Sequence, residues 1–110
     1  MTIDDIALLQ GFSVLNPGQS REVTSIYCCD LLSLVMGRAP ADSAWVTVMG
    51  NQNAVAVASL ADTACIVLAE GVTMDEAGLQ KAGEHGVAVF ATALPVYEAA
   101  TLLGQLLAKG

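Results

Sequence analysis

The sequence predicts an α/β domain of three layers, with a mainly parallel sheet covered by helices on both sides. Three observations predict it. The second half alternates short apolar runs with helical segments, in the order strand, helix, strand, helix, strand, helix. That alternation is the signature of right-handed βαβ crossovers. Two of the runs, Cys65 to Ala69 and Val87 to Ala91, are continuously apolar, as strands buried on both faces should be. The chain has 110 residues, of which 55% are hydrophobic, so one domain spanning residues 1–110 can bury a core.

The elements follow in order. Thr2 and Asp5 have capping-box spacing, Ile3, Ile6, Ala7 and Gln10 follow helical spacing, and Gly11 stops the helix. Phe12 to Leu15 reads as a short extended piece closed by the turn Asn16-Pro17-Gly18. Arg21 to Cys28 alternates in the manner of a strand. Asp30 is placed to cap a helix over Leu31 to Met36, stopped by Gly37. Pro40 and Asp42 mark a loop, and Trp45 to Met49 is a β-rich run ended by Gly50. Asn53 to Ala64 reads two ways. Val55, Val57 and Ser59 alternate as in a strand, whereas the alanines and the caps Asn51 or Asn53 favour a helix, which is the reading adopted. After Cys65 to Ala69, Glu70-Gly71 turns the chain. Thr73 and Glu76 form a second capping box for a helix to His85, and Gly86 ends it. Pro95 suits the first turn of a last helix reaching Lys109.

Composition excludes several functions. Four basic residues against eleven acids leave a net charge of −7, so a surface that tracks nucleic-acid phosphates is excluded, and anionic membranes are poor partners. The longest wholly apolar run is Ala64 to Ala69, far short of the roughly 20 residues that span a bilayer. The opening Met1-Thr2-Ile3-Asp4-Asp5 has acids where a secretory leader has bases, and three cysteines without framework spacing suit reduced thiols. A cytoplasmic location is the expectation.

Arg21 to Tyr27, Asp30 to Ser33 and Trp45 to Val48 together resemble the DRTGG domain, as do Ala64 to Gly71 and Gly86 to Phe90. The resemblance runs over nearly the whole chain. It implies a fold similar to the N-terminal domain of HPr kinase/phosphorylase. It also implies an accessory or regulatory role, as for the DRTGG domains beside CBS domains in pyrophosphatases and in long phosphotransacetylases. The family's naming motif falls at Gly50-Asn51-Gln52-Asn53, where Asn51 and Gln52 stand in place of Asp and Arg. Glu70-Gly71 stands where many members carry two glycines.

The candidate site is the strand-to-helix loop Gly50, Asn51, Gln52 and Asn53. Ligands of open α/β sheets lie beyond the carboxyl ends of the strands. A helix N-terminus there favours an anion such as a nucleotide. Glu70, Gly71 and Thr92 follow two other strands and complete the same edge. The alternative is that Gly50 only turns the chain, that Asn51 or Asn53 only caps a helix, and that Glu70, Gly71 and Thr92 are turn residues.

No catalytic constellation emerges. A phosphate-binding Gly-x-x-x-x-Gly-Lys loop is absent, Gly83 and Gly86 lie at a helix end rather than in a Rossmann turn, and no Cys-x-x-Cys occurs. Cys28 and Cys29, adjacent on a strand, point to opposite faces and read as packing residues. His85 sits where a cation complements a helix dipole, and Asp4, Asp5, Asp75 and Glu76 where acids do. Arg38 reads as a solvated loop residue or a contact for a partner. The expectation is a non-catalytic regulatory or protein-interaction module without cofactor, forming a homodimer. The alternative is a small-ligand sensor for a nucleotide or other anion at Gly50 to Asn53. Leu102, Leu103, Leu106 and Leu107 are placed in the core or at the interface.

Overall fold

The structure is a computed structural model and describes residues 1–109. Its elements are α1 (Ile3–Ala7), β1 (Phe12–Asn16), β2 (Ser25–Cys28), α2 (Leu32–Arg38), β3 (Ser43–Thr47), α3 (Gln52–Ala61), β4 (Cys65–Leu68), α4 (Glu76–His85), β5 (Ala88–Thr92) and α5 (Val96–Lys109). The five strands form one sheet in the order β1-β5-β4-β3-β2. β2 through β5 are parallel, and β1 joins β5 antiparallel.

Each step from β2 to β5 moves one strand in the same direction. Right-handed crossovers therefore put α2, α3 and α4 on one face. The packing agrees: Val35, Ala54, Val55, Ala58 and Ala82 from these helices cluster with Trp45, Ile66, Leu68 and Val89 from the sheet. The intervening strand residues Ala44, Val46, Cys65, Val67, Ala88 and Phe90 point to the other face, against Ile3 and Ile6 of α1 and Ala99 and Leu103 of α5. This is the period-two alternation of a sheet buried on both faces. The fold is thus an α/β three-layer arrangement with a mostly parallel sheet. No helix among the described residues is long and apolar enough to cross a membrane.

The stretch after Gly50 is helical. Asn51 caps it, its side chain accepting from the Ala54 N–H at 3.1 Å, and Asp62 closes it in the left-handed conformation. Elsewhere the boundaries differ from those the local pattern predicts. Only Ser25–Cys28 of the Arg21 to Cys28 run pairs as a strand, because Arg21 to Val23 instead bond to the N-terminus, Ile3 N–H to Arg21 and Val23 N–H to Met1. β3 starts two residues before Trp45, with all five of its residues buried. Asp30 does not cap α2. Its carboxylate accepts from the Thr47 hydroxyl at 2.7 Å and the Val48 N–H at 3.1 Å, tying the end of β2 to the end of β3. α2 begins after Leu31 without a side-chain cap and runs through Gly37 to Arg38. Asp75, not Thr73, caps α4, accepting from the Gly78 N–H at 2.7 Å.

Candidate functional site

In an open parallel sheet a crevice forms where the connections of neighbouring strands leave toward opposite faces. Here that point lies between β4 and β5. β4 leads into α4 on one face, and β5 leads into α5 on the other. A groove of about 360 Å³ opens at this place. Its walls are the loop Gly71 to Thr73 after β4, the segment Ala91 to Ala93 at the end of β5, and Gly11 to Ser13 at the start of β1. β1 runs antiparallel, so its beginning meets the ends of the other strands.

Gly11 and Gly71 have φ of 86° and 75°, and nothing lies within 4 Å of where a Cβ would stand on either. Thr92 is buried, and its hydroxyl accepts from the Leu94 N–H at 3.2 Å. The two loops are stitched together below the groove: the Gly71 N–H donates to Thr92 O at 3.0 Å and the Glu70 N–H to Leu94 O at 2.8 Å. Glu70, at φ 61°, turns its carboxylate to the first turn of α5 and accepts from the Val96 N–H at 2.8 Å.

The predicted site residues therefore divide. Gly71 and Thr92 meet in the groove. Glu70 lies beside it as the cap of α5. Gly50 is pressed against the β4–α4 loop, where an added Cβ would overlap the Thr73 carbonyl, and its own carbonyl accepts from the Asp75 N–H at 3.1 Å. The close backbone approach that a glycine permits is here an approach of the chain to itself. Asn51 is the cap of α3, and Gln52 and Asn53 are exposed in its first turn. The groove's third wall, Gly11 to Ser13, escapes sequence reasoning because only the antiparallel pairing of β1 brings it there.

The electrostatics of this edge follow from its caps. The N-termini of α3, α4 and α5 are occupied by Asn51, Asp75 and Glu70. Glu76 and Glu98 add further carboxylates to first turns. Arg38 and Lys109 lie in the last turns of their helices, at the opposite end of the sheet. Arg21 is also there, donating to Asp42 and to Asp62, the latter at 3.1 Å. The N-termini of α3, α4 and α5 thus each have one N–H taken by a cap, and no Lys or Arg lines the groove.

A second cavity of about 210 Å³ lies at that opposite end, bordered by Gln19, Arg21, Ser59, Thr63 and His85. Arg21 is neutralised there by its two aspartates. Among the described residues no group of three His, Cys, Asp or Glu side chains is arranged to hold a metal. Cys65 is fully buried, and that burial pushes its thiol up to about 12. Cys28 is the exposed thiol, raised by partial burial and then by the Asp30 carboxylate. Of the adjacent pair expected to pack, only Cys29 does so, half-buried against the core just beyond β2, whereas Cys28 is exposed because it ends the outermost strand; the fully buried cysteine is Cys65. Comparison with protein-family models and with curated proteins finds no match to this chain.

Proposed function

We propose that the protein is a non-catalytic regulatory or protein-interaction module that works as a homodimer, in keeping with its resemblance to the DRTGG domain. The composition of the groove carries this reading. None of its lining residues, from Gly11 to Ser13, Gly71 to Thr73 and Ala91 to Ala93, bears a side chain that titrates near neutrality. A general acid, a general base and an activated nucleophile each need such a group at the reacting atoms. Exposed Leu31, just before the short helix α2, and Leu34 and Met36 on it supply apolar surface for association. Three unbridged cysteines accord with a reducing compartment such as the cytoplasm. Size-exclusion chromatography with light scattering at tens of micromolar tests the reading: a two-chain particle supports it, and a strictly single-chain particle contradicts it.

A second reading is a small-ligand sensor at the strand-end loops. The open space over Gly11 and Gly71 favours it. The carboxylate-capped helix ends favour an uncharged ligand held by backbone groups and by the Ser13 and Thr73 hydroxyls, rather than a nucleotide at Gly50 to Asn53. A thermal-shift screen of nucleotides, phosphate, carboxylates and neutral polyols at millimolar concentration decides it. A shift abolished by Thr73→Val supports the groove, and no shift with any of them contradicts the sensor.

A further inference from the structure

The sheet has two edges, and they are not alike. Both are packed by helices on their faces, β1 by α1 and α4 and β2 by α5, but β1 is bulged between Val14 and Asn16. A bulge is a usual protection of an edge. β2 pairs with β3 in regular register and has no partner on its outer side. Its four residues, Ser25 to Cys28, include no charge and no proline.

The free hydrogen-bonding groups of β2 can be identified. Cys28 pairs with Val46, and the Cys29 N–H donates to the Val46 carbonyl. In a parallel ladder this turns the backbone of Tyr27 toward β3 and leaves the N–H and C=O of Ile26 and Cys28 facing outward. The two outward residues are separated by one. That spacing is what a strand needs to pair with a copy of itself: about a two-fold axis at Tyr27, Ile26 of each copy meets Cys28 of the other through four hydrogen bonds.

We propose that a second copy of this chain docks at the outer edge of β2, the two strands pairing antiparallel about an axis through Tyr27. This rests on the self-association proposed above and names its surface. Charge selects the occupant. Two copies that each carry −7 repel over most of their surfaces. From Ser25 to Arg38 the only acid is Asp30, which is turned toward the end of β3, and the only base is Arg38. The β2 edge and α2 are therefore where a like-charged copy approaches at least cost. α2 lies at the β2 end of its helix layer, packed on α3, and Leu31 and Leu34 are 59% and 39% exposed there. They supply the apolar contact that a four-residue edge alone does not.

Two variants of the full chain test the proposal by light scattering and non-reducing electrophoresis. The first is Tyr27→Cys in a background of Cys28→Ser and Cys29→Ser. Residues facing across a non-hydrogen-bonded antiparallel pair have Cα atoms roughly 4.5 Å apart, within the range of a disulfide. Mild oxidation is expected to give a covalent dimer in high yield. The second is Cys28→Pro, which removes an outward N–H at an exposed position and leaves the ladder to β3 intact. Losing two of the four hydrogen bonds is expected to weaken the dimer roughly thirtyfold, with circular dichroism unchanged. A wild-type dimer that neither cross-links through residue 27 nor weakens in Cys28→Pro overturns this surface and leaves the homodimer standing. A wild-type monomer overturns both.

Discussion

Glu70 offers a test of how the candidate edge is built. Its backbone is left-handed at φ 61°, and its carboxylate accepts from the Val96 N–H at the start of α5. Two contributions of opposite sign meet in one residue. The left-handed conformation costs a non-glycine residue about 1 kcal/mol. The charged cap at a helix N-terminus contributes roughly 1–2 kcal/mol. Glu70→Ala removes the cap and keeps the strain, so destabilisation of about 1.5 kcal/mol is expected. Glu70→Gly removes both, so the loss falls to about 0.5 kcal/mol. Glu70→Gln keeps an acceptor without the charge and should fall between wild type and Glu70→Ala. For a domain of this size about 1 kcal/mol moves Tm by roughly 4 °C, so the alanine variant should melt about 6 °C lower and the glycine variant about 2 °C lower. Urea unfolding with an unchanged slope provides the free energies. The difference between glutamate and glutamine should shrink in 1 M salt, where the charge is screened. An alanine variant as stable as wild type, or a glycine variant less stable than alanine, refutes the assignment of Glu70 as a strained cap.

Other expectations follow from the same structure. Gly50→Ala forces a methyl group against the Thr73 carbonyl and should cost about 1–3 kcal/mol by displacing the β4–α4 loop, read as a lower Tm. Arg21→Met removes the donor shared by Asp42 and Asp62, both in left-handed conformations. A loss of about 1–2 kcal/mol in urea unfolding is expected, since the group is only partly buried. Of the three thiols, Cys28 should react first with a thiol reagent on the native protein and Cys65 only on unfolding, as mass spectrometry of labelled protein would show. Cys65 should also give stability a pH dependence. Its thiol stays protonated in the native state up to about 12, whereas in the unfolded chain it ionises near 9.0. The native state then binds more protons, so stability is fully present below 9.0 and falls as pH rises toward 12. Cys65→Ala should flatten that part of the curve.

The central strands are legible in the sequence because both of their faces are buried. Cys65 to Ala69 and Val87 to Ala91 need no tertiary partner to look like strands. The cap Asn51 is equally local, since a helix start requires some side chain to accept from its free N–H groups. What the sequence does not show depends on contacts between distant segments. Asp30 has the place of a helix cap, yet Thr47 and Val48 draw its carboxylate across to β3. Thr73 and Glu76 have capping-box spacing, yet α4 starts at Glu76 and the cap position is Asp75. Gly50 has the look of a ligand loop because a glycine between strand and helix admits any close backbone, and here the backbone admitted is that of the β4–α4 loop. The groove brings together Gly11, Gly71 and Thr92, and only the antiparallel docking of β1 beside β5 puts the first near the others.

Native mass spectrometry of the protein purified without oxidation tests the central claim most directly. A non-catalytic module that self-associates predicts a species of twice the 11.3 kDa chain mass, carrying no adduct. A single-chain species, or one that retains a discrete small-molecule or metal mass, would contradict it.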